Sequence, residues 1–497
     1  MTGTKTVRRR KPLSVLIIGS EAQPFAKTGG LADVLGALPP ALARLGCDVT
    51  LVLPRYRGIP VDREVERFPV TIGGYVADVG FCEAALGDGA RAVLIDCPDL
   101  YDRDALYGVG NADYTDNARR FALLARAALE FAGRRGTGPS IVHAHDWQAG
   151  LAPVYLRTLY ATHPVLAGTP TVFTIHNLAY QGLFDPDWLP RVDLGWDLFT
   201  IAGLEFWRRI SFLKGGINFS DVITTVSRRY AEEIQTPELG FGFDGVLRAR
   251  ARDLVGILNG IDGGTWDPAR DSYLPAAYTR DDLSGKAAAK AALLARYGLP
   301  STGDALERPV VGMVSRMVEQ KGLDLIAAAA ADLPHLDATF VVLGTGEPRY
   351  QDLWSRLART WPDRFGVRIG FDEALAHLIE AGSDMFLMPS RFEPSGLNQM
   401  YSLRYGTVPI VRGVGGLADS VTDYVPGRPR STGFVFTDYT PQALVQTLSR
   451  ALAVYADRKK WRTLQRAGMR LDYSWDRSAA EYVKIYRRAL RNAGARA

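Results

Sequence analysis

The sequence predicts an α/β protein made of two Rossmann-like domains that face each other across a cleft. A chain of 497 residues is too long for one hydrophobic core, and two doubly wound domains of ordinary size fit its length. Short apolar runs alternate with helical patterns in both halves, the order typical of parallel sheets covered by helices. The pentapeptide Gly-Gly-Leu-Ala-Asp occurs at 29–33 and again at 415–419, each time between a strand and a helix, which supports two similar halves.

Composition and charge are those of a globular enzyme. Hydrophobic residues make up 47% of the chain, charged residues make up 23%, and the net charge is +5. Nucleic-acid binding requires a denser basic stripe, and the compact basic run at 8–11 is better explained as a solvated leader than as a targeting signal. The three cysteines show no C-x-x-C spacing, which favours a reducing compartment. No run approaches the roughly 20 apolar residues that cross a bilayer, so we expect a cytoplasmic protein without membrane or nucleic-acid partners.

The first strand, at 15–18, leads into a loop with a lysine and two glycines before a helix. Gly29 and Gly30 let the backbone come close to a ligand, and the start of the helix points free N–H groups at an anion. Lys27 can reach the same anion as a flexible cation. A glycine pair before a helix is more often a structural turn, so this loop alone does not assign a site.

Two later strands of the first half end in polar side chains. The strand at 141–145 leads into Asp146, and the strand that begins at residue 171 ends at His176 and Asn177. A histidine at the carboxyl end of a parallel strand faces the crevice where ligands bind. The pattern H-x-H-D at 143–146 is also compatible with a metal site, but it more often serves hydrogen bonding, and no cysteine or carboxylate cluster joins it.

The first strand of the second half, at 309–315, is followed by a short stretch that contains two cationic residues. Arg316 and Lys321 lie in a predicted strand-to-helix loop, where a diphosphate needs positive charge. Exposed loop charges are usually only solvated, so the pair is weak evidence by itself.

The second half is organised around the stretch from 388 to 411. A continuous apolar run at 384–388 is typical of a buried parallel strand, and a helical pattern follows at 397–405. Glu393 lies between the two, at the sheet edge where ligands of open α/β sheets bind. Its carboxylate has the wrong charge for a phosphate, so we assign it to the hydroxyls of a ribose. A helix-capping carboxylate explains this residue equally well.

Two motifs in these stretches resemble those of a known family. Arg-Phe-Glu-Pro-Ser-Gly-Leu at 391–397, followed by Gly-Thr-Val-Pro at 406–409, is similar to the C-terminal signature of bacterial glycogen synthases and plant starch synthases. Lys-Thr-Gly-Gly-Leu-Ala-Asp at 27–33 is similar to their N-terminal signature. The resemblance extends over nearly the whole chain and implies the GT-B fold. It also implies a retaining enzyme that transfers glucose from ADP-glucose to the non-reducing end of an α-1,4-glucan such as glycogen, with no metal and no other cofactor.

The resemblance implies roles for residues of both domains. The implied catalytic residues are His176, Asp146, Arg316, Lys321 and Glu393. The residues implied to bind ADP-glucose are Lys27, Gly29, Gly30, Asn177, Asn259, Phe371, Gly396 and Leu397. Many relatives have tyrosine where Phe371 stands and cysteine where Ser395 stands. Phenylalanine keeps the aromatic face that stacks near the base and loses only the hydroxyl.

Domain boundaries follow from the same comparison of motifs. We expect an N-terminal Rossmann-like domain at 1–255, on the acceptor side, and a C-terminal nucleotide-sugar-binding domain at 256–472. The motif Leu-Asn-Gly-Ile-Asp at 258–262 marks the crossing between them. A last helix within 473–497 is expected to pack back on the first domain, as it does in the family.

Several alternatives stay open. The donor could be UDP-glucose, or the chain could be another GT-B glycosyltransferase or a non-catalytic glucan-binding protein. The non-catalytic protein should lack the phosphate cations and His176, yet all are present. A phosphorylase would need a lysine that holds pyridoxal phosphate, and no motif supports one. Metal-dependent transferases use D-x-D, a short and freely recurring pattern that occurs at 102–104 and 185–187.

Overall fold

The structure, a computed structural model, describes residues 12–494 apart from 62, 111 and 429. The basic run at 8–11 therefore lies outside the described residues. Every helix in the described part of the chain is too short or too polar to span a lipid bilayer.

Strands pair in two large sheets and two small ones across the described ranges. In chain order they are β1 Ser14–Ile18, β2 Asp48–Pro54, β3 Arg63–Ile72, β4 Tyr75–Gly87, β5 Ala90–Asp96, β6 Gly108–Val109, β7 Ala112–Asp113, β8 Ile141–His145, β9 Thr171–Ile175, β10 Leu183–Phe184, β11 Glu205–Phe206, β12 Arg209–Ser211, β13 Val222–Thr225, β14 Leu254–Gly256, β15 Val310–Val314, β16 Thr339–Gly344, β17 Phe365–Ile369, β18 Met385–Met388, β19 Val408–Arg412 and β20 Phe434–Phe436.

Helices follow most of the parallel strands. In chain order they are α1 Gly30–Arg44, α2 Pro98–Tyr101, α3 Asn117–Gly133, α4 Asp146–Ala149, α5 Leu151–Arg157, α6 Trp188–Arg191, α7 Phe212–Phe219, α8 Arg228–Glu233, α9 Asp244–Ala249, α10 Ser284–Arg296, α11 Leu323–Ala329, α12 Pro348–Thr360, α13 Glu373–Gly382, α14 Asn398–Arg404, α15 Gly415–Ser420, α16 Pro441–Tyr455, α17 Arg458–Met469 and α18 Trp475–Gly494.

Chain contacts divide the protein into two compact units. The first unit runs to Thr225, resumes at Gly240–Ile257 and includes the chain from Trp475 onward. The second unit comprises Val226–Leu239 and Leu258–Ser474. The sequence assigns all of 1–255 to the first domain, whereas the segment 226–239 belongs to the second unit, because α8 packs against α15.

The first unit is built on a sheet with the strand order β14-β13-β9-β8-β1-β2-β5-β4-β3. The strands from β14 to β5 pair in parallel, and β3 and β4 form an antiparallel edge. Every residue of β8, β9 and β13 is buried, as expected for strands covered on both faces. The strand order reverses between β1 and β8, so the loops that follow these two strands meet at a switch point. Helix α18 packs against α1 in this unit.

The second unit contains a parallel sheet with the order β17-β16-β15-β18-β19-β20. Successive residues of β16 alternate between two buried clusters: Phe340 and Val342 belong to one, and Val341 and Leu343 to the other. Because side chains alternate along a strand, apolar packing covers both faces of the sheet. The switch point of this sheet lies between β15 and β18, and it places the loops after these strands side by side.

Candidate active site

A cavity of about 320 Å³ opens beside the carboxyl ends of β15 and β18 in the second unit. This is the switch point of the sheet, where ligands of open α/β sheets bind. The predicted residues that line the cavity are Arg316, Lys321, Phe371, Gly396 and Leu397. Asn259, which the sequence also assigns to the donor, is buried and is not among the lining residues.

Lys321, which lines this cavity, forms an ion pair with Glu393, a predicted site residue that is not itself among the lining residues. The Lys321 Nζ lies 2.6 Å from Glu393 Oε2, and the Ser390 hydroxyl donates to the same oxygen over 3.0 Å. The pair is largely shielded from water, since the exposed fractions of the lysine and glutamate side chains are 20% and 6%. The sequence assigns the cation to a diphosphate and the carboxylate to a ribose, and nothing in either motif indicates that they compensate each other's charge.

The helix-capping explanation of Glu393 is wrong. Helix α14 begins at Asn398 with Leu397 at its N-cap, and that residue makes no side-chain cap. Gly396, with φ of 66°, forms the turn between the carboxylate and the helix. The Glu393 carboxylate contacts Lys321 instead.

Two loops come together to place this ion pair. Gly322 has φ of 80°, and a Cβ atom there would lie 2.2 Å from the carbonyl oxygen of Pro389, so only glycine permits this approach. The Arg391 N–H donates to the Gln320 carbonyl over 2.9 Å, and the Arg391 guanidinium pairs with Asp324 over 2.6 Å. These contacts tie the loop of the cation to the loop of the carboxylate.

Arg316 and Phe371 line the cavity with exposed side chains. The Arg316 guanidinium has one long contact, 3.4 Å to Gln320 Oε1. The Phe371 ring is 87% exposed. A large apolar ring that is exposed to solvent beside a cavity offers a face on which a planar base can stack.

In the first unit, a buried carboxylate organises the predicted lysine–glycine loop. Glu21 accepts hydrogen bonds from the Thr28 N–H over 2.5 Å, from the Thr28 hydroxyl over 2.7 Å and from the Gly29 N–H over 3.3 Å. The Tyr107 hydroxyl donates to the same carboxylate over 2.5 Å. Sequence reasoning missed this role of Glu21, and its one signal is an acidic residue in the loop that follows β1.

The same loop carries the predicted anion site. Helix α1 begins at Gly30, with Gly29 at the N-cap and no side-chain cap. The Lys27 Nζ lies 2.6 Å from Asp33 Oδ1, and the lysine side chain is 45% exposed. Exposed ion pairs contribute about 0–1 kcal/mol, so Lys27 can exchange this partner for a stronger anion at little cost.

Asp146 and His176 follow neighbouring strands of the first sheet. Strands β8 and β9 pair in parallel, so the residues after them lie side by side. Asp146 has φ of 55°, and its Oδ1 accepts the His176 N–H over 2.7 Å. His145 Nδ1 lies 2.9 Å from His176 Nε2. The Asn177 side chain accepts the Ala179 N–H over 3.1 Å, which closes the turn after β9.

Burial sets the charge of this cluster. Burial raises the pKa of Asp146 to about 7, although the N–H groups of His176 and Asn177 act in the opposite direction. Burial also lowers the pKa of His176 to about 3 and the pKa of His145 well below its usual range. Both imidazoles are therefore neutral near pH 7 and act as hydrogen-bonding groups rather than as cations.

The remaining histidine of the H-x-H-D motif also makes hydrogen bonds. His143 Nδ1 lies 2.9 Å from the Tyr486 hydroxyl of α18, and its Nε2 lies 2.6 Å from the Thr174 hydroxyl. Both ring nitrogens of this buried side chain thus have protein partners, which fits the hydrogen-bonding interpretation of the motif.

Carboxylates elsewhere in the first unit contact arginines. Both acids of the D-x-D pattern at 102–104 pair with the Arg57 guanidinium. In the described ranges, one group of possible metal ligands lies on β3, β4 and β5, namely Glu64, Cys82 and Asp96. Arg67 pairs with both carboxylates of that group, so its guanidinium already compensates their negative charge.

Comparison with known proteins identifies the class. The chain matches the family model of the starch synthase catalytic domain over residues 14–249 and that of group 1 glycosyl transferases over residues 300–467. The glycogen synthase of Anaeromyxobacter dehalogenans (strain 2CP-C) is 53% identical over 476 residues, which cover 96% of this chain and 99% of the relative. The glycogen synthase of Koribacter versatilis (strain Ellin345) is 48% identical over 480 residues, with 96% and 98% covered.

Similarity to solved structures supports the same class of protein as the sequence matches. The catalytic domain of starch synthase IV from Arabidopsis thaliana, bound to ADP and acarbose, matches with a TM-score of 0.88 and 35% identity, covering 97% of this chain and 100% of that one. Sucrose-phosphate synthase from Thermosynechococcus elongatus matches with a TM-score of 0.59 and 17% identity over 96% and 98% of the two chains, and shows the fold alone.

Two Rossmann-like units and these matches define a glycosyltransferase of the GT-B fold. More narrowly, the chain belongs to the family of bacterial glycogen synthases and plant starch synthases. The predicted family, fold class and function as a glycosyltransferase of the glycogen synthase type are thereby confirmed.

Proposed function

We propose that this enzyme uses ADP-glucose as its donor and extends the non-reducing end of an α-1,4-glucan with retention of configuration. The observation that carries the proposal is the cavity of the second unit, which is lined by Arg316, by the exposed Phe371 ring and by Lys321, whose ion-pair partner is Glu393. Cations, a carboxylate and an aromatic face are the three groups that a nucleoside diphosphate sugar needs.

Each part of the donor has a suitable partner among these residues. Arg316 and Lys321 offset the charge of the diphosphate, and charge-assisted contacts of this kind are stronger than neutral ones. Phe371 stacks on the adenine through its free face. Glu393 accepts hydrogen bonds from ribose hydroxyls, because a carboxylate is an acceptor only. ADP is the nucleotide bound in the starch synthase structure, which supports the choice of nucleotide.

The transfer proceeds by attack on the same face from which the diphosphate departs. Double displacement needs a free carboxylate nucleophile with a second carboxyl at roughly 5 Å. Glu393 is held by Lys321 and Ser390, which does not suit a nucleophile. The departing diphosphate takes the proton of the acceptor hydroxyl as the new glycosidic bond forms. Arg316 and Lys321 stabilise the negative charge that develops on it.

In the first unit, the family resemblance assigns residues to the transferred sugar and to an anion. His176 and Asp146 bind hydroxyls of the glucose, the former through an imidazole that burial keeps neutral, so that it acts as a hydrogen-bonding group. Lys27 and the start of α1 at Gly30 contribute to anion binding.

The reaction needs no metal ion in this proposal. Fixed cations and helix starts provide the positive charge that a divalent ion supplies in D-x-D transferases. Glu393 is one carboxylate, it is already paired, and one carboxylate makes a poor Mg²⁺ site.

The cytoplasmic location also stays a prediction, with three free cysteines in its favour.

A donor panel tests the proposal. Purified enzyme is given glycogen with labelled ADP-glucose, UDP-glucose or GDP-glucose, and glucose incorporated into glycogen is measured together with the nucleotide released. We expect ADP-glucose to give the highest kcat/KM and the new linkage to have the α configuration. Faster transfer from UDP-glucose would overturn the donor assignment, and release of nucleotide without incorporation would overturn the acceptor assignment.

A further inference from the structure

The segment 226–239 has an unusual path in the chain. The chain leaves the first unit after Thr225, contributes α8 to the second unit, and returns to the first unit at Gly240. Within the second unit, α8 packs against α15, the short helix that begins with the second Gly-Gly-Leu-Ala-Asp motif at 415–419.

Helix α8 and this motif cap each other. The Glu233 carboxylate is buried and accepts the Gly415 N–H with both oxygens, over 3.1 and 3.0 Å. In return, the Asp419 carboxylate accepts the Arg228 N–H over 2.5 Å and the Arg229 N–H over 3.1 Å at the start of α8. The buried Gly415 N–H needs a partner, and the first N–H groups of α8 have none within the helix, so each element supplies what the other lacks.

The two glycines of the motif lie directly against the backbone that carries Glu393. The Gly416 N–H points at the carbonyl oxygens of Glu393 and Pro394, over 3.1 and 3.2 Å. A Cβ atom on Gly415 would lie 1.9 Å from the Glu393 carbonyl oxygen, and one on Gly416 would lie 1.9 Å from that of Ser395. No side chain fits in this contact, so the position of Gly415 and Gly416 directly sets the position of the loop at 393–395.

We propose that Glu233 is a positioning residue for the donor site. By fixing the Gly415 N–H, it fixes the glycine pair, and the glycine pair fixes the loop from which Glu393 reaches Lys321. The inference rests on the proposed donor function of that loop. Arg229, whose Nε lies 3.1 Å from Glu233, offsets the charge of the buried carboxylate and keeps it in place.

The first copy of the motif shows the same arrangement. There Glu21 accepts the Thr28 and Gly29 N–H groups at the start of the copy at 29–33. In both units, then, a buried glutamate takes N–H groups at the start of the motif. In the first unit the glutamate comes from the preceding loop, and in the second it comes from a segment 182 residues earlier in the chain.

The test compares Glu233→Ala with Glu233→Gln and with the matched control Glu232→Ala. Glu232 lies on the same helix and pairs with the same Arg229 over 3.2 Å, but its side chain is 68% exposed. For each variant, kcat and KM are measured for ADP-glucose and for glycogen, ADP binding is measured by calorimetry, and stability is measured by thermal unfolding.

We expect Glu233→Ala to lower kcat/KM for ADP-glucose by about 100-fold, because small displacements of reacting groups have effects of this size. The KM for glycogen should stay near that of the wild type. Glu233→Gln keeps one oxygen for the Gly415 N–H and should recover most of the loss. Glu232→Ala should behave as the wild type.

A second variant guards against misfolding of Glu233→Ala. Asp419→Ala removes the exposed cap of α8 without leaving a buried charge, and it should give a smaller loss that is again confined to the donor.

Equal losses for donor and glycogen, a lowered melting temperature with unchanged kinetics, or no difference between Glu233→Ala and Glu232→Ala would each overturn the inference. A wild type that neither transfers glucose nor binds ADP would overturn the proposed function, and the inference with it. Transfer by the wild type with unaltered donor kinetics in the variants would overturn the inference alone.

Discussion

Replacing Asp146 by asparagine should change how the stability of the first unit depends on pH. Asparagine has the same shape and keeps an oxygen for the His176 N–H, which Asp146 Oδ1 accepts over 2.7 Å. It also tolerates the left-handed backbone better than most residues, so the φ of 55° does not confound the comparison. What the substitution removes is the charge of a partly buried carboxyl group.

The pKa of Asp146 gives the sign and the size of the effect. Burial raises the pKa from its ordinary value of 3.8 to about 7. Between these two pH values the folded chain binds more protons than the unfolded chain, so stability falls as the pH rises from about 4 to about 7. Each unit of pKa shift is worth about 1.4 kcal/mol, so the full cost approaches about 4 kcal/mol above pH 7.

About half of this loss of stability has already occurred at about pH 5.5. The free energy of unfolding of the wild type therefore falls by about 2 kcal/mol more between about pH 5.5 and about pH 8. The free energy of unfolding of Asp146→Asn, relative to that of the wild type, should therefore increase by this amount over the interval. Urea unfolding at the two pH values measures it, and hydrogen exchange of peptides from β8 and β9 assigns the transition to the first unit.

Asp187→Asn is the matched control, since Asp187 is an exposed aspartate of the same unit. It should leave the pH dependence of the wild type in place. If the stability difference between Asp146→Asn and the wild type is the same at both pH values, the buried carboxyl does not titrate as argued, and the electrostatic description of this cluster is wrong.

Three further outcomes concern the reaction itself. Glu393→Ala should lose most glucosyl transfer and stay folded by circular dichroism, because both the ribose acceptor and the partner of Lys321 are gone; near-normal turnover would remove Glu393 from the site. Lys321→Ala should mainly lower kcat, since charge on the leaving group appears in the transition state, whereas Lys27→Ala should mainly raise the KM for ADP-glucose. Equal effects confined to KM would contradict this division. Transfer should survive exhaustive EDTA treatment after metal-free purification; activity restored by Mg²⁺ or Mn²⁺ would instead direct attention to the aspartates at 102–104.

Local patterns predicted the elements around the proposed donor site well. The apolar run at 384–388 became β18 at Met385–Met388, and the helical pattern at 397–405 became α14 at Asn398–Arg404. Both depend on the periodicity of neighbouring residues, which the sequence displays directly. The residues that line the cavity come from loops after parallel strands, where the topology of open sheets places them.

Contacts between distant parts of the chain could not be predicted in this way. Glu393 was assigned to a cap or a ribose, and its partner Lys321 lies 72 residues earlier in the chain. From the sequence, the segment 226–239 is assigned to the first domain. The residues next to Glu233 and Asp419 in the sequence do not indicate that each of these two side chains caps the helix of the other. Charge pairing and N–H capping depend on tertiary position, and sequence periodicity does not encode it.

If Lys321 binds the donor diphosphate as proposed, its ion pair with Glu393 has a consequence for how the donor is bound. A lysine that is only 20% exposed would be costly to keep charged without a partner, so the carboxylate compensates it before a diphosphate arrives. A diphosphate that binds Lys321 must compete with Glu393, and the ground-state gain is the difference between two arrangements of the same charges. As the glycosidic bond breaks, negative charge grows on the leaving group, and the cation then interacts more strongly with it than with the carboxylate. An unpaired lysine would bind the donor more tightly without lowering the barrier, whereas the paired lysine reserves its strongest interaction for the transition state.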